Sequence, residues 1–194
     1  AISIVTIGEF VIKTKQRDDG QYPVYNGGQT PTGYYDEYNN EGNKIVISAR
    51  GASAGFVNFQ YERYWTGNSC YSVSLTEPTY NIRFFYHYLK AYQRRFTDYQ
   101  QAANIPSVSK KDVQLFQVKV PCDKEQNRIA EFFDCIDQKI NLLTKKKEAL
   151  ETYKRGLMQK IFSQELRFKR EDGTDYPEWE TLRIEDISEE RSER

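Results

Sequence analysis

Histidine and methionine occur once each in this 194-residue chain, and cysteine three times. Cys70, Cys122 and Cys135 are scattered, odd in number and without a CxxC pair. That excludes a disulfide framework or a zinc site and fits reduced thiols in the cytosol. No apolar run approaches the roughly 18–20 residues of a membrane span, and no signal peptide is visible. The chain opens on Ala, as a processed or cut chain would. HExxH, GxSxG and GxxxxGK[ST] are missing, and Gly27-Gly28 and Gly51/Gly55 do not form GxGxxG between a strand and a helix. The single histidine, His87, falls on a predicted helix near its apolar stripe, the setting of a structural residue. Carboxylates in residues 1–121 form no nuclease-like cluster. The residues therefore point to a non-catalytic chain with no metal site.

The chain does have tyrosine, 15 of them against two Trp, in a composition 38% hydrophobic and 29% charged. Tyrosine suits either a binding surface or ordinary strands. Net charge is zero, but residues 1–121 hold 13 Lys+Arg against 10 Asp+Glu, and the remainder 15 against 18. A mildly basic first part suits a polyanion, with affinity shared with another protein.

The pattern predicts an α+β chain: a strand-rich domain over 1–121, a long coiled-coil-forming helix over 122–165, and a C-terminal segment over 166–194. Ile2–Ile12, interrupted at Gly8-Glu9, Lys44–Ser48, Gly55–Phe59 and Ser69–Leu75 read as strands, with turn chemistry at 18–20, 26–28 and 39–43. Phe85, Tyr88, Leu89, Tyr92 and Phe96 form one stripe of a helix over about Asn81–Tyr99. Val113–Val120 reads as a last strand, closed by Pro121.

From Asp123 to about Ser163 there is no Pro and one Gly. Ile129, Ile136, Leu143, Leu150 and Leu157 recur every seven residues, with Phe133, Ile140 and Ile161 four residues after three of them. This is a heptad seam. A helix of about 40 residues, roughly 60 Å long, cannot bury such a seam on itself, so the seam predicts a partner helix. Lys147 and Lys154 also occupy companion positions; they either set register or snorkel. Near the end, Leu182-x-Ile184-x-Asp186-Ile187 echoes Val5-x-Ile7-x-Glu9-Phe10, as the start of a second repeat or a tail would. The last seven residues are charged and read as frayed.

Two loops read as contact surfaces. The first, Tyr25–Tyr35, contains Asn26, Gly27, Gly28, Gln29, Thr30, Thr32, Tyr34 and Tyr35. Glycines let backbone approach a ligand, Asn and Gln can bond adenine, Thr can touch a thymine methyl, and Tyr can reach phosphate. A polar hairpin with no ligand is the other reading. The second, Ser48–Gly55, sets Arg50 among Ser48, Gly51, Ser53 and other small residues. Arg50 either grips guanine or phosphate or pairs with a carboxylate. A third stretch, Gln100–Ser109 with Ser107, follows Arg94 and Arg95 and precedes Lys110 and Lys111.

The order of these features resembles a target-recognition domain of the specificity subunit of type I restriction–modification systems. The resemblance lies in Tyr22–Gly28, Gly33–Asp36, Ile45–Gly55 and Trp65-x-x-Asn68. Pro121, Glu125-Gln126-x-x-Ile129-Ala130 and Asp137-x-x-Ile140 are similar to the start of that family's conserved helix. Leu157–Ser163, Leu166–Phe168 and Tyr176–Trp179 are similar to its far end. The resemblance implies a non-catalytic DNA-reading subunit that binds double-stranded DNA, each recognition domain reading half of a split target. It implies methyltransferase subunits as partners, with S-adenosylmethionine on them and no cofactor bound directly, and a restriction subunit as a further partner. Family members carry two such domains and two antiparallel helices. One of each here implies half a subunit or a fragment, homodimerising through Ile129–Ile161 in the cytoplasm. A coiled-coil scaffold with a protein- or RNA-binding head is the alternative.

Overall fold

The computed structural model describes residues 3–12, 15–97 and 106–187. The chain divides into two compact units, Ala1–Gln138 and Lys139–Arg194. The first is built on a four-stranded antiparallel sheet in the order β1 (Ser3–Ile7), β7 (Cys70–Leu75), β4 (Lys44–Ser48), β5 (Val57–Gln60). A second sheet has the order β3 (Gly33–Tyr35), β2 (Tyr22–Tyr25), β6 (Trp65–Thr66), with β2 antiparallel to β3 and parallel to β6.

β4 is buried from Ile45 to Ser48 because it is central and covered on both faces. Successive side chains go to opposite faces of a strand. Ile45 and Ile47 of β4 and Tyr71 and Val73 of β7 enter a core shared with Phe84, Phe85, Leu89 and Phe96. Val46 and Cys70 join Tyr25 and Tyr64 on the other face. That second face is partly polar. The Tyr64 hydroxyl meets Ser72 Oγ at 2.6 Å, Ser72 Oγ donates to Asn40 Oδ1 at 3.0 Å, and Asn40 Nδ2 donates to Thr66 Oγ1 at 3.0 Å. Burial pushes the Tyr64 phenol up to about 12.

The predicted 81–99 helix is shorter. Asn81 caps α1 (Ile82–Ala91) by accepting from the Arg83 and Phe84 amides. A 3-10 turn, Gln93–Phe96, follows. The Gln93 side chain accepts from the Val57 amide at 3.0 Å, which ties the turn to β5. Val113–Val120 is not a strand. Ser109 and Asp112 form a capping box that starts α2 (Lys110–Gln114), and Phe116 and Val118 pack on the core without a strand partner. β2, β3 and β6 were not expected as strands. The first two carry Pro23 and Gly33, residues depleted in strands.

α3 (Asp123–Phe162) matches the predicted helix. Its first turns dock on the head. Gln126 and Ala130 are buried, Gln126 Oε1 accepts from the Asn81 amide at 3.0 Å, and Gln126 Nε2 donates to the Pro121 carbonyl at 2.9 Å. Asp134 takes Arg83 Nε at 3.0 and 3.2 Å, Arg83 Nη2, and His87 Nε2 at 2.8 Å. The Arg83 guanidinium also lies over the Phe59, Tyr61 and Tyr86 rings.

In the second unit, Arg167 Nη2 donates to the Tyr176 and Pro177 carbonyls at 3.0 and 2.6 Å, and Nη1 pairs with Glu178 at 3.1 Å. Phe162 meets Trp179 edge-on at 6.3 Å. The echo segment contains a single helical turn, α4 (Ile184–Ile187). Its counterpart near the start is a strand because β7 lies beside it. No helix among the described residues is long and apolar enough to cross a membrane.

Candidate nucleic-acid interface

The loop after β2 is held by its backbone. Asn26 Oδ1 accepts from the Ser69 amide at 3.1 Å. Gly27 sits at φ +91°, where a side chain is strained, and its N–H donates to Cys70 Sγ at 3.0 Å. The Gly28 carbonyl accepts from Ser48 Oγ at 2.8 Å, and the Gln29 carbonyl from Asn58 Nδ2 at 3.3 Å. The Thr32 amide donates back to Val24 at 2.8 Å. With the backbone pinned, Gln29, Thr30 and Thr32 stay exposed. Burial pushes the Cys70 thiol up, so it stays protonated and serves as an acceptor, not a nucleophile.

The 48–55 turn lies against this loop. Ser48 and Ala49 are buried, while Arg50 is exposed. Ser53 is half-buried. Its amide ladder closes through Gly55 N–H to Ser48 O at 2.8 Å and Ala54 N–H to Gly51 O at 2.9 Å. Gly51 and Gly55 both have φ +82°. A Cβ on Gly55 would come within 3.0 Å of Phe96 Cβ and 3.3 Å of the Gln93 carbonyl, so this turn packs on the 3-10 turn that carries Arg94 and Arg95.

The other side of the turn meets the third stretch. Arg50 and Ser107 form an antiparallel bridge, Gly51 N–H donates to Pro106 O at 3.0 Å, and Val108 N–H to Ala49 O at 2.8 Å. Tyr71 OH donates to Val108 O at 3.1 Å. Burial raises this phenol, and the Arg50 charge acts against the rise. α2 then presents Lys110 and Lys111, both exposed. Residues 100–105 of the predicted contact stretch lie outside the described residues.

Three separated segments thus converge on the 48–55 turn. Among the described residues, Arg50, Arg94, Arg95, Lys110 and Lys111 make no ion pair. Arg95 instead lies over the Phe116 and Tyr92 rings at 5.0 and 5.9 Å. Elsewhere in the head, Arg17 is paired with Asp19 and Asp36, and Arg63 with Glu41. Among the described residues, the cations around the turn thus have no carboxylate partner. Tyr34 and Tyr35 belong to β3. Tyr34 is exposed and joined through its backbone to Arg17, and Tyr35 meets Trp65 edge-on at 5.2 Å.

Sequence reasoning did not single out Cys70, Asn58 or Gln93 as the residues that hold this surface. Nothing in their spacing marks them, since each acts across at least 29 residues of chain. His87, Asp134 and Asp137 bring possible ligand atoms within 4.8 Å of one another. Both Asp134 oxygens are already taken by Arg83, so the cluster reads as an ion-pair lock. Burial would raise the Asp134 carboxyl, but hydrogen bonds from Arg83 and then His87 hold it below the usual carboxylate range.

Of the seam residues, Ile129 packs on the head core and Phe133 stacks on His87 at 5.2 Å. Ile136, Ile140, Leu143 and Leu150 are exposed, whereas Leu157 and Ile161 are half-buried. Lys147 and Lys154 are also exposed.

Residues 3–152 match the family model described as a type I restriction modification DNA specificity domain. A Mycoplasma genitalium protein described as a type I specificity subunit is 24% identical over 158 residues, 80% of this chain and 41% of that protein. The specificity subunit of the type I restriction enzyme MjaVIII of Methanocaldococcus jannaschii is 22% identical over 210 residues, 95% of this chain and 48% of that one. The crystal structure of the M. genitalium type I restriction–modification S subunit superposes with a TM-score of 0.74 at 23% identity, covering 84% of this chain and 44% of that chain. This chain spans less than half the length of these relatives.

Proposed function

Because the chain belongs to the family of type I restriction modification DNA specificity domains, we propose that its head reads one half of a bipartite duplex target from the surface around the 48–55 turn. The observation that carries this reading is the meeting there of a pinned glycine loop, an exposed Arg50 and cations that make no ion pair among the described residues. Arg94, Arg95, Lys110 and Lys111 would contact phosphate and set position. Arg50, Gln29, Thr30, Thr32 and Ser53 would read base edges, while Asn26, whose Oδ1 is taken by the Ser69 amide, would hold the loop. Buried Ser48, with Gly27, Gly28 and Gly51, shapes the backbone, and Ser107, Tyr34 and Tyr35 lie at the margin. The chain itself would do no chemistry. Methyltransferase subunits carrying S-adenosylmethionine, with a restriction subunit, would act in the cytoplasm on the DNA it selects.

Two copies would pair through α3 to present two heads. Asp and Glu outnumber Lys and Arg by five to three over 123–139, and Lys and Arg outnumber Asp and Glu by six to two over 140–162. Antiparallel pairing sets the acidic half against the basic half, and parallel pairing sets like on like. Two-fold symmetry then predicts a split, palindromic target.

The test is a methylation map of DNA modified by the chain reconstituted with its methyltransferase subunits. A split palindrome with a constant spacer is the expected result. Modification without sequence preference, or binding indifferent to both salt and sequence, would remove the reading.

A further inference from the structure

We propose that the turn between β6 and β7 belongs to the reading surface, and that the Asn68 side chain bonds the edge of an adenine. The inference rests on the surface proposed above and adds to it a residue outside the loops already named. Cys70 N–H donates to the Gly67 carbonyl at 3.0 Å, which leaves Asn68 and Ser69 as the central pair of a tight turn. Both flanks of Asn68 are held. Gly67 is buried, its N–H donates to the Tyr25 carbonyl at 2.8 Å, and a Cβ on it would collide with Asn26 Oδ1. The Ser69 amide donates to that same Asn26 oxygen at 3.1 Å, and the Ser69 carbonyl accepts from the Ala49 amide at 2.8 Å. A Cβ on Gly27 would meet Ser69 Cβ at 3.1 Å and the Arg50 carbonyl at 3.5 Å. The turn is therefore wedged between the glycine loop and the 48–55 turn, beside Arg50.

Between these fixed neighbours Asn68 is exposed. Asparagine in a turn commonly accepts from the backbone N–H two residues on. Here that N–H, of Cys70, goes to Gly67, and the Asn68 side chain makes no hydrogen bond among the described residues. The turn's own hydrogen bonding thus does not account for an amide at this position. A carboxamide sets a donor beside an acceptor, the pair that matches N7 and the N6 amino group of adenine in the major groove. It has no charge with which to neutralise a phosphate, so a base edge suits it better than the DNA backbone. Asn26 uses its oxygen on the turn and by doing so places a second amide, that of Asn68, at the surface. A group carried on backbone already fixed on both sides loses little entropy on binding.

The test maps modification of a randomised duplex pool by the full chain reconstituted with its methyltransferase subunits. In Asn68→Ala, preference for A·T at one position of the half-target should fall about tenfold. The other positions, the salt slope and the thermal melt should stay as in the wild type. Asn68→Asp, which replaces the donor by an acceptor, should move that position toward C·G. An unchanged map in Asn68→Ala, while Arg50→Ala relaxes a position of its own, overturns the role of Asn68 and leaves the surface. Even weakening on every sequence, with or without a lowered melt, does the same, because it assigns Asn68 to the DNA backbone or to the fold. Unchanged maps in both variants, or a wild-type map without sequence preference, overturn the surface itself and Asn68 with it.

Discussion

The Gly27 amide donates to the thiol sulfur of Cys70 at 3.0 Å, across 43 residues of chain, and so fastens the glycine loop of one sheet to the first residue of β7 in the other. Cys70→Val keeps an apolar side chain there but leaves the amide without an acceptor. We expect a loss of about 1–2 kcal/mol in urea unfolding, with Cys70→Ser recovering much of it. Equal stability of the Val and wild-type proteins would mean that the contact does not hold the loop.

Gly51 and Gly55 separate backbone strain from packing. Both have φ +82°, but a Cβ on Gly51 meets nothing within 4 Å, whereas one on Gly55 meets Phe96 at 3.0 Å. Gly51→Ala should cost about 1–2 kcal/mol, the strain of a left-handed L-residue. Gly55→Ala should cost more, about 2–4 kcal/mol, with overpacking added. Thermal melts of the two variants give the comparison, and equal losses would place the whole cost in the backbone.

The Arg83–Asp134–His87 lock should make the docking of α3 on the head sensitive to acid. The Asp134 carboxyl is held below its ordinary value, so its contribution is complete above that value and is lost as pH falls through the lower, folded one. Asp134→Asn should therefore destabilise the chain at neutral pH, and the difference from wild type should close on the acid side of the usual carboxylate range. Denaturant midpoints over an acid-to-neutral series read this directly. A difference that does not change with pH would assign the effect to packing.

Arg50 makes no ion pair among the described residues, so Arg50→Ala should leave stability within about 0.5 kcal/mol. Specific duplex binding should weaken by about 1–3 kcal/mol and relax at one base position. Lys110→Ala should instead weaken binding evenly across sequences and lower the salt slope by about one. Binding titrations at several salt concentrations distinguish the two, and unchanged affinity and preference in Arg50→Ala would take that residue out of the interface.

The sequence alone was enough for the elements whose pattern is local. Ile45–Ile47 reads as a central strand because every residue is apolar and β-branched, and α3 reads as a helix because its seam repeats for five heptads without proline. The order of motifs from Tyr22 to Trp179 carried the family. Tertiary structure decided what depends on partners distant in sequence. β2 and β3 form because Val24 finds Gly33 and Trp65 across the sheet, despite a proline and a glycine. The helix after Asn81 stops early because Gln93 is held by β5. The 48–55 turn is the meeting point of three segments because Ser48, Asn58 and Val108 bond to backbone far along the chain. Local periodicity records which face of an element is apolar, but which loops come together is set by long-range hydrogen bonds and packing that no single stretch of sequence contains.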